Sequence, residues 1–205
     1  IYFSKKYTIK LIGRKTKLKK NPLHSLRKIS YLKTNVFELS KIEKLNFNNA
    51  IVILPVFKNK NIKEINNLIS LIFKKKPYKI ILLSSVSLYG SSKLKAKESS
   101  RLKLTSEYSK FCRIYEKNLL RLNKITGINI NILRIGNVFG PYRHKPSFIE
   151  KLLINFVNYK KYIFDKKNII RSYLSINDLL KVIERISPRK TKNIIYNVSN
   201  PNYIF

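Results

Sequence analysis

Cysteine is nearly missing from this sequence and methionine is missing altogether. The single thiol, Cys112, excludes an internal disulfide framework, so a reducing, cytoplasmic setting is the default expectation. The lack of methionine, with Ile1 as first residue, reads as the mark of a fragment or an unusual start. No apolar run reaches membrane-spanning length, because Lys, Asn or Ser interrupts every candidate; no membrane partner is expected. The segment Ile1 to Lys10 has no apolar block followed by a small-residue cleavage site, hence no signal peptide. No glycine- or proline-rich linker divides the chain, and no repeat recurs at solenoid periods. The two histidines, His24 and His144, lie far apart without carboxylate or cysteine partners, which argues against a metal site. No Ser-His-Asp order suggests hydrolysis.

Acidic residues are scarce too, 10 against 44 basic ones, for a net charge of +34. Such a field attracts nucleic acid or anionic surfaces. Yet the lysines spread over nearly every segment instead of forming one stripe, and Ile, Asn and Tyr are abundant beside them. That joint bias is what drift in an AT-rich coding sequence produces. The sequence also lacks a recognition helix, an RNA-binding aromatic pair or a zinc pattern, so nucleic acid is not expected as a specific partner.

What is present is an alternation of short buried runs with longer amphipathic stretches, the pattern of an α/β fold. Apolar residues make up 44% of 205, enough for a real core. Strands are predicted at Tyr7 to Gly13, Ile29 to Leu32, Ala50 to Val56, Lys79 to Ser84, Ile128 to Ile135 and Ile194 to Val198. The run AIVILPV is near-continuously apolar, as a parallel strand covered on both faces requires. Helices are predicted at Lys41 to Leu45, Asn61 to Lys74, Thr105 to Lys124, Phe148 to Tyr159 and Asn177 to Ile186. In the second of these, Ile62, Ile65, Leu68, Ile69 and Ile72 fall close to helical spacing. Ser106 is the expected cap of the third helix, Phe111, Ile114, Leu119 and Leu120 its expected inward face, and Gly127 its end. Asn177 and Asp178 are expected to cap the last.

Four segments carry chemistry in order: Leu83 to Gly90 (LSSVSLYG), Tyr108 to Glu116 (YSKFCRIYE), Leu133 to Pro141 (LRIGNVFGP) and Arg171 to Leu179 (RSYLSINDL). Together they resemble the extended short-chain dehydrogenase/reductase family of nucleotide-sugar epimerases and dehydratases, whose pattern reads SS-x-x-x-YG, Y-x-x-x-K with a later Glu, LR-x-x-NV-x-GP and R-[DS]-Y-[IL]-x-x-x-DL. The resemblance implies a Rossmann-like doubly wound parallel sheet, here lacking its first βα unit, with a small partial substrate region at the C-terminus. It divides the chain into a truncated dinucleotide-binding domain, 1–140, and a partial substrate-binding region, 141–205, that partly returns to the sheet.

The resemblance also assigns roles. Ser85 and Tyr108 become the catalytic pair, converging on one substrate oxygen while a nicotinamide exchanges hydride. A free tyrosine titrates near 10, too high for a base at neutral pH. The family lowers it with a lysine one helical turn later, and here that position holds Cys112, with Glu116 fixing the register. A thiol supplies no positive charge. Lys110 is two residues on, and that spacing points it elsewhere. The cofactor implied is NAD or NADP. Arg14, Asn35, Leu54, Pro55 and Tyr108 stand at cofactor-contacting positions, Arg14 toward a 2′-phosphate, and bulky Val56 follows Pro55. The family's Gly-x-x-Gly-x-x-Gly turn is not found among the five glycines. The substrate implied is a nucleotide-activated sugar, with Ser85, Asn137 and Arg171 as its contacts and Arg171 pairing with the diphosphate. Ordinary alternatives stand beside these: Ser85 as a strand-end hydroxyl satisfying backbone, Tyr108 as an amphipathic surface residue, Cys112 as a small buried hydrophobe, Arg14 as one more loop charge. Arg134 is expected to brace its strand end. A homodimer through the helices at 61–74 and 105–124 is the expected assembly, and a catalytically inactive relic of the family is the alternative to an active enzyme.

Overall fold

Two short parallel strands open the chain, β1 (Ile9–Gly13) and β2 (Ile29–Lys33), followed by the one-turn helix α1 (Leu39–Glu43). β3 (Ile51–Pro55) leads into helix α2 (Ile62–Lys74), and β4 (Lys79–Ser85) ends in a 3₁₀ turn at Val86–Tyr89. The long helix α3 (Glu107–Thr126) returns to β5 (Asn129–Ile135), then β6 (Asn137–Phe139) and helix α4 (Phe148–Val157). β7 (Tyr173–Ser175), helix α5 (Ile176–Ile186) and β8 (Ile195–Val198) complete the set. This is a computed structural model, and it describes residues 3, 6–13, 29–58, 61–90, 96–141, 146–159, 161, 172–188, 191 and 194–200. Arg14 and Arg171, like His24 and His144, lie outside the described residues.

Every strand pair is parallel. The central sheet runs β3-β4-β5-β8, while β1-β2 and β6-β7 form two-stranded sheets of their own. A doubly wound sheet places its first strand between these two halves. Among the described residues no strand joins the β1-β2 pair to β3. β4 is buried almost throughout, Ile80, Ile81 and Leu82 at 1% exposure or less, because helices cover both faces of a parallel sheet. One face packs Ile65, Leu68, Ile69 and Ile72 of α2 and Tyr115 and Leu119 of α3 against Leu82, Ile130 and Ile132. The other packs Leu179, Ile183 and Ile186 of α5 against Ile81 and Leu133.

The predicted strands and helices all appear, within a few residues of the expected ends. Local signals explain the helix starts. Asn61 caps α2 in a capping box with Glu64, and Ser106 caps α3, as predicted. Gly127 ends α3 in the left-handed region at φ 67°, its amide donating to the Asn123 carbonyl at 2.8 Å.

Two expectations are corrected and one feature is added. The cap of α5 is Ser175, whose hydroxyl accepts from the amides of Asn177 and Asp178, so those two residues are capped and do not cap. The buried stripe of α3 is Ser109, Cys112, Tyr115, Glu116 and Leu119; Phe111, Ile114 and Leu120 only flank the core. That stripe includes a carboxylate, which hydrophobic spacing cannot recognise, and Ile62 of α2 likewise sits 52% exposed. Finally, the β6-β7 ladder was not foreseen, since three-residue strands carry no measurable alternation.

Candidate active site

The register of the central sheet decides where the motifs meet. Pro55 pairs with Leu83, and Ser84 and Ser85 pair with Arg134 and Ile135, so the carboxyl ends of β3, β4 and β5 finish side by side. Open parallel sheets bind ligands outside that edge. Here the edge opens into a cleft of about 380 Å³ whose walls include Ser85, Tyr108 and Asn137. Residues from three different motifs are thereby brought to one cavity. Asp178 is elsewhere, on a separate depression of about 590 Å³ between α5, β7 and β8.

Ser85 stands at the last position of β4, and its hydroxyl accepts from the Ser87 amide at 3.1 Å. The strand-end role is therefore real, yet the hydroxyl still has its proton to give to a ligand in the cleft. Tyr108 sits in the first turn of α3, and Cys112 lies one turn below it, fully buried. Burial, then the adjacent thiol, pushes the Tyr108 phenol well above its ordinary value. Burial likewise pushes Cys112 up to about 11, against the pull of hydrogen bonds with Tyr108 and Ser84. At neutral pH both groups are protonated, so Tyr108 is a hydrogen-bond donor there and not a base. Lys110 is exposed, as its spacing required. Instead a different lysine approaches: the Lys58 ammonium lies 4.9 Å from the centre of the Tyr108 ring.

The remaining cofactor positions are less convergent. The Asn35 side chain accepts from the Phe37 amide at 3.2 Å, forming the turn after β2. Leu54 is 5% exposed and belongs to the core, while Pro55 is exposed at the end of β3. Asn137 donates its side-chain amide to the Ser172 carbonyl at 3.3 Å beside the cleft. Among the described residues there is no cluster of three or more metal-ligating side chains, and no helix is long and apolar enough to cross a membrane.

Several other motif residues build a buried polar brace directly behind the cleft. Arg134 of β5 grips Glu116 of α3 with two bonds, at 3.0 and 2.8 Å, and also donates to the Tyr89 hydroxyl at 2.8 Å and the Glu98 carbonyl at 3.1 Å. Ser84 donates to the same carboxylate at 2.8 Å, and the Tyr89 hydroxyl donates to the Asn197 Oδ1 at 2.6 Å. Burial works against the charge on Arg134, but the bonds and attraction from Glu116, with the Tyr89 hydroxyl, outweigh it and keep the guanidinium charged. This network locks α3 to β4, β5 and β8, and so fixes Tyr108 relative to Ser85. Bracing by Arg134 was legible from its strand-end position; Tyr89 and Asn197 as its partners were not, because they come from distant segments.

Comparison with known proteins follows from this geometry. No curated protein sequence matches the chain. Among solved structures, a UDP-N-acetylglucosamine 4-epimerase from Methanobrevibacter ruminantium M1 superposes with a TM-score of 0.86 at 17% identity, covering 99% of this chain and 72% of that one. A dTDP-glucose 4,6-dehydratase from Bacillus anthracis str. Ames, in complex with NAD, gives 0.83 at 19% identity, over 98% of this chain and 69% of that one. A UDP-glucuronic acid 4-epimerase from Bacillus cereus gives 0.77 at 19%, over 97% and 71%. At such identities these likenesses establish the fold. The family itself is established by the sequence: the model of the NAD dependent epimerase/dehydratase family matches residues 54–199, a span that takes in the cleft, the brace and all four motifs, and the chain belongs to that family.

Proposed function

We propose that the cleft is the substrate side of a nucleotide-sugar epimerase or dehydratase site, in which Ser85 and Tyr108 address one oxygen of the sugar. The observation that carries this reading is the meeting of Ser85, Tyr108 and Asn137 on one cavity at the carboxyl edge of a parallel sheet. Both hydroxyls donate to the substrate oxygen in the resting state, and proton transfer to or from it belongs to Tyr108. Asn137 contacts the nucleotide sugar, and Arg171 pairs with its diphosphate. A homodimer is proposed as well, with light scattering in solution as its test.

The dinucleotide side fits poorly. A pyrophosphate needs backbone amides on a glycine turn at a helix N-terminus. The glycine ending β1, Gly13, has its open side taken by Tyr31, whose hydroxyl would lie 3.1 Å from an added Cβ. Among the described residues no such cradle is formed, and no step here is routed through the dinucleotide. Cofactor of the NAD(P) type is supported by the family; NAD against NADP, with Arg14 as the discriminating contact, is part of the proposal.

Calorimetry with UDP-glucose, NAD and NADP at moderate salt tests both sides. Micromolar to millimolar binding of the nucleotide sugar, abolished or weakened by Asn137→Ala, is expected. No heat at millimolar nucleotide sugar overturns the proposal. A second reading, an inactive relative that keeps ligand affinity, is favoured by the thiol of Cys112 beside Tyr108 and by the poor cradle. It predicts nucleotide-sugar binding without turnover at saturating NAD or NADP, and no gain on Cys112→Lys.

A further inference from the structure

A phenol that handles a proton near neutral pH needs a cation against it, because burial alone moves it the wrong way. The helix that carries Tyr108 does not supply one at the expected turn: Cys112 beneath it is a neutral thiol, Lys110 is exposed, and Arg113 reaches to Glu116 at 3.6 Å. The cation comes from another element. Val56 and Phe57 leave the carboxyl end of β3 and pack on the core, and the Phe57 ring stands edge-on to Phe37 at 5.4 Å. That anchoring directs the next residue, Lys58, over the Tyr108 ring with its ammonium 4.9 Å from the ring centre. An ammonium within about 6 Å of a ring face is attracted to it, and more strongly once the ring is a phenolate.

We propose that Lys58 is the positioning cation of Tyr108, supplying from the exit of β3 the positive charge that Cys112 does not. The inference rests on Tyr108 being the proton-handling group, and it adds the residue that tunes it. Among the described residues, the other groups beside Tyr108 do not compete for the role. Ser84 and Ser85 of β4 are neutral, as are Asn137 of β6 and Tyr173 of β7, which share its cleft. Behind Cys112 the one carboxylate, Glu116, is neutralised by Arg134. Burial and the Cys112 thiol displace Tyr108 upward, and the Lys58 ammonium over its ring is placed to act against them. Because Lys58 is exposed, its effect weakens with salt.

The test replaces Tyr108 with 3,5-difluorotyrosine, whose more acidic phenol titrates within the range where the fold survives, and follows the fluorine resonance against pH. Lys58→Gln should raise the midpoint by about half a unit to two units, the span for a unit charge about 5 Å away between water-like and near-surface dielectric response. Lys58→Arg should leave it within a few tenths of a unit. The parent midpoint should rise with added NaCl more steeply than that of Lys58→Gln. Since the side chain is exposed, both variants should retain the parent circular dichroism. A midpoint unmoved by Lys58→Gln overturns the proposal whatever the protein's activity. A shifted midpoint in a protein whose turnover ignores Tyr108→Phe upholds Lys58 and removes the acid/base reading instead.

Discussion

Replacing Arg134 with methionine should destabilise this protein more than most single changes in its core. The guanidinium and its partner carboxylate are 2% and 0% exposed. Removing the guanidinium deletes two charge-assisted bonds and leaves Glu116 with the Ser84 hydroxyl at 2.8 Å and a half-exposed Arg113 at 3.6 Å. It also strips donors from the Tyr89 hydroxyl and the Glu98 carbonyl. Breaking one side of a buried ion pair costs about 3–5 kcal/mol, most of it the penalty of the stranded charge. For a domain of this size that is a fall in Tm of roughly 6–20 °C. Glu116→Leu alone should cost a similar amount, because it strands the guanidinium. The pair together, Glu116→Leu with Arg134→Met, should recover much of the loss, leaving a coupling of about 2 kcal/mol or more in the cycle. Urea unfolding at neutral pH, followed by circular dichroism with common slopes, measures all four corners. An Arg134→Met variant within about 1 kcal/mol of the parent, or strictly additive single losses, would refute the argument that these motif residues act as one brace.

Raising the pH past 9 should weaken the fold before any lysine deprotonates in bulk: the Cys112 thiol, ordinarily near 8.5, is held up to about 11 in the native state, so its contribution is full below the unfolded value and is lost as pH climbs through the folded one; Tm measured from pH 8 to 11 should fall, and Cys112→Ala should flatten that fall. The same burial should make Cys112 inert to iodoacetamide at pH 8 and fully reactive in urea, as read by mass spectrometry. Gly140→Ala should cost at least about 2 kcal/mol in chemical denaturation, since φ there is 145° and an added Cβ would lie 2.3 Å from Ile176 Cγ2. Added NaCl should raise Tm by several degrees between low and physiological ionic strength, because screening relieves the self-repulsion of a +34 chain; a salt-independent Tm would show that the charges are already compensated.

How much of this was readable in advance depends on how local each determinant is. β4 and β5 announce themselves as apolar runs, and the caps Asn61 and Ser106 are set by residues within one turn. Ser85 and Tyr108 were placed by motif order, and parallel register then carried them to one cleft without further information. What escaped was whatever two distant segments settle between them. Glu116 fixed the motif register, but nothing within its helix showed that Arg134 of the next strand would hold it in the core, and the inward face of α3 was misjudged for that reason. Lys58 was one lysine among many until the sheet register put the exit of β3 beside the first turn of α3. The same logic bears on the missing lysine of that helix. A cation need not share a helix with the phenol it serves; it needs only to be delivered to the same edge of the sheet. In a chain so rich in lysine, the loss of the local one at Cys112 therefore does not by itself decide whether Tyr108 can work. On the proposal made for Lys58, the charge delivered from the exit of β3 bears on it as well.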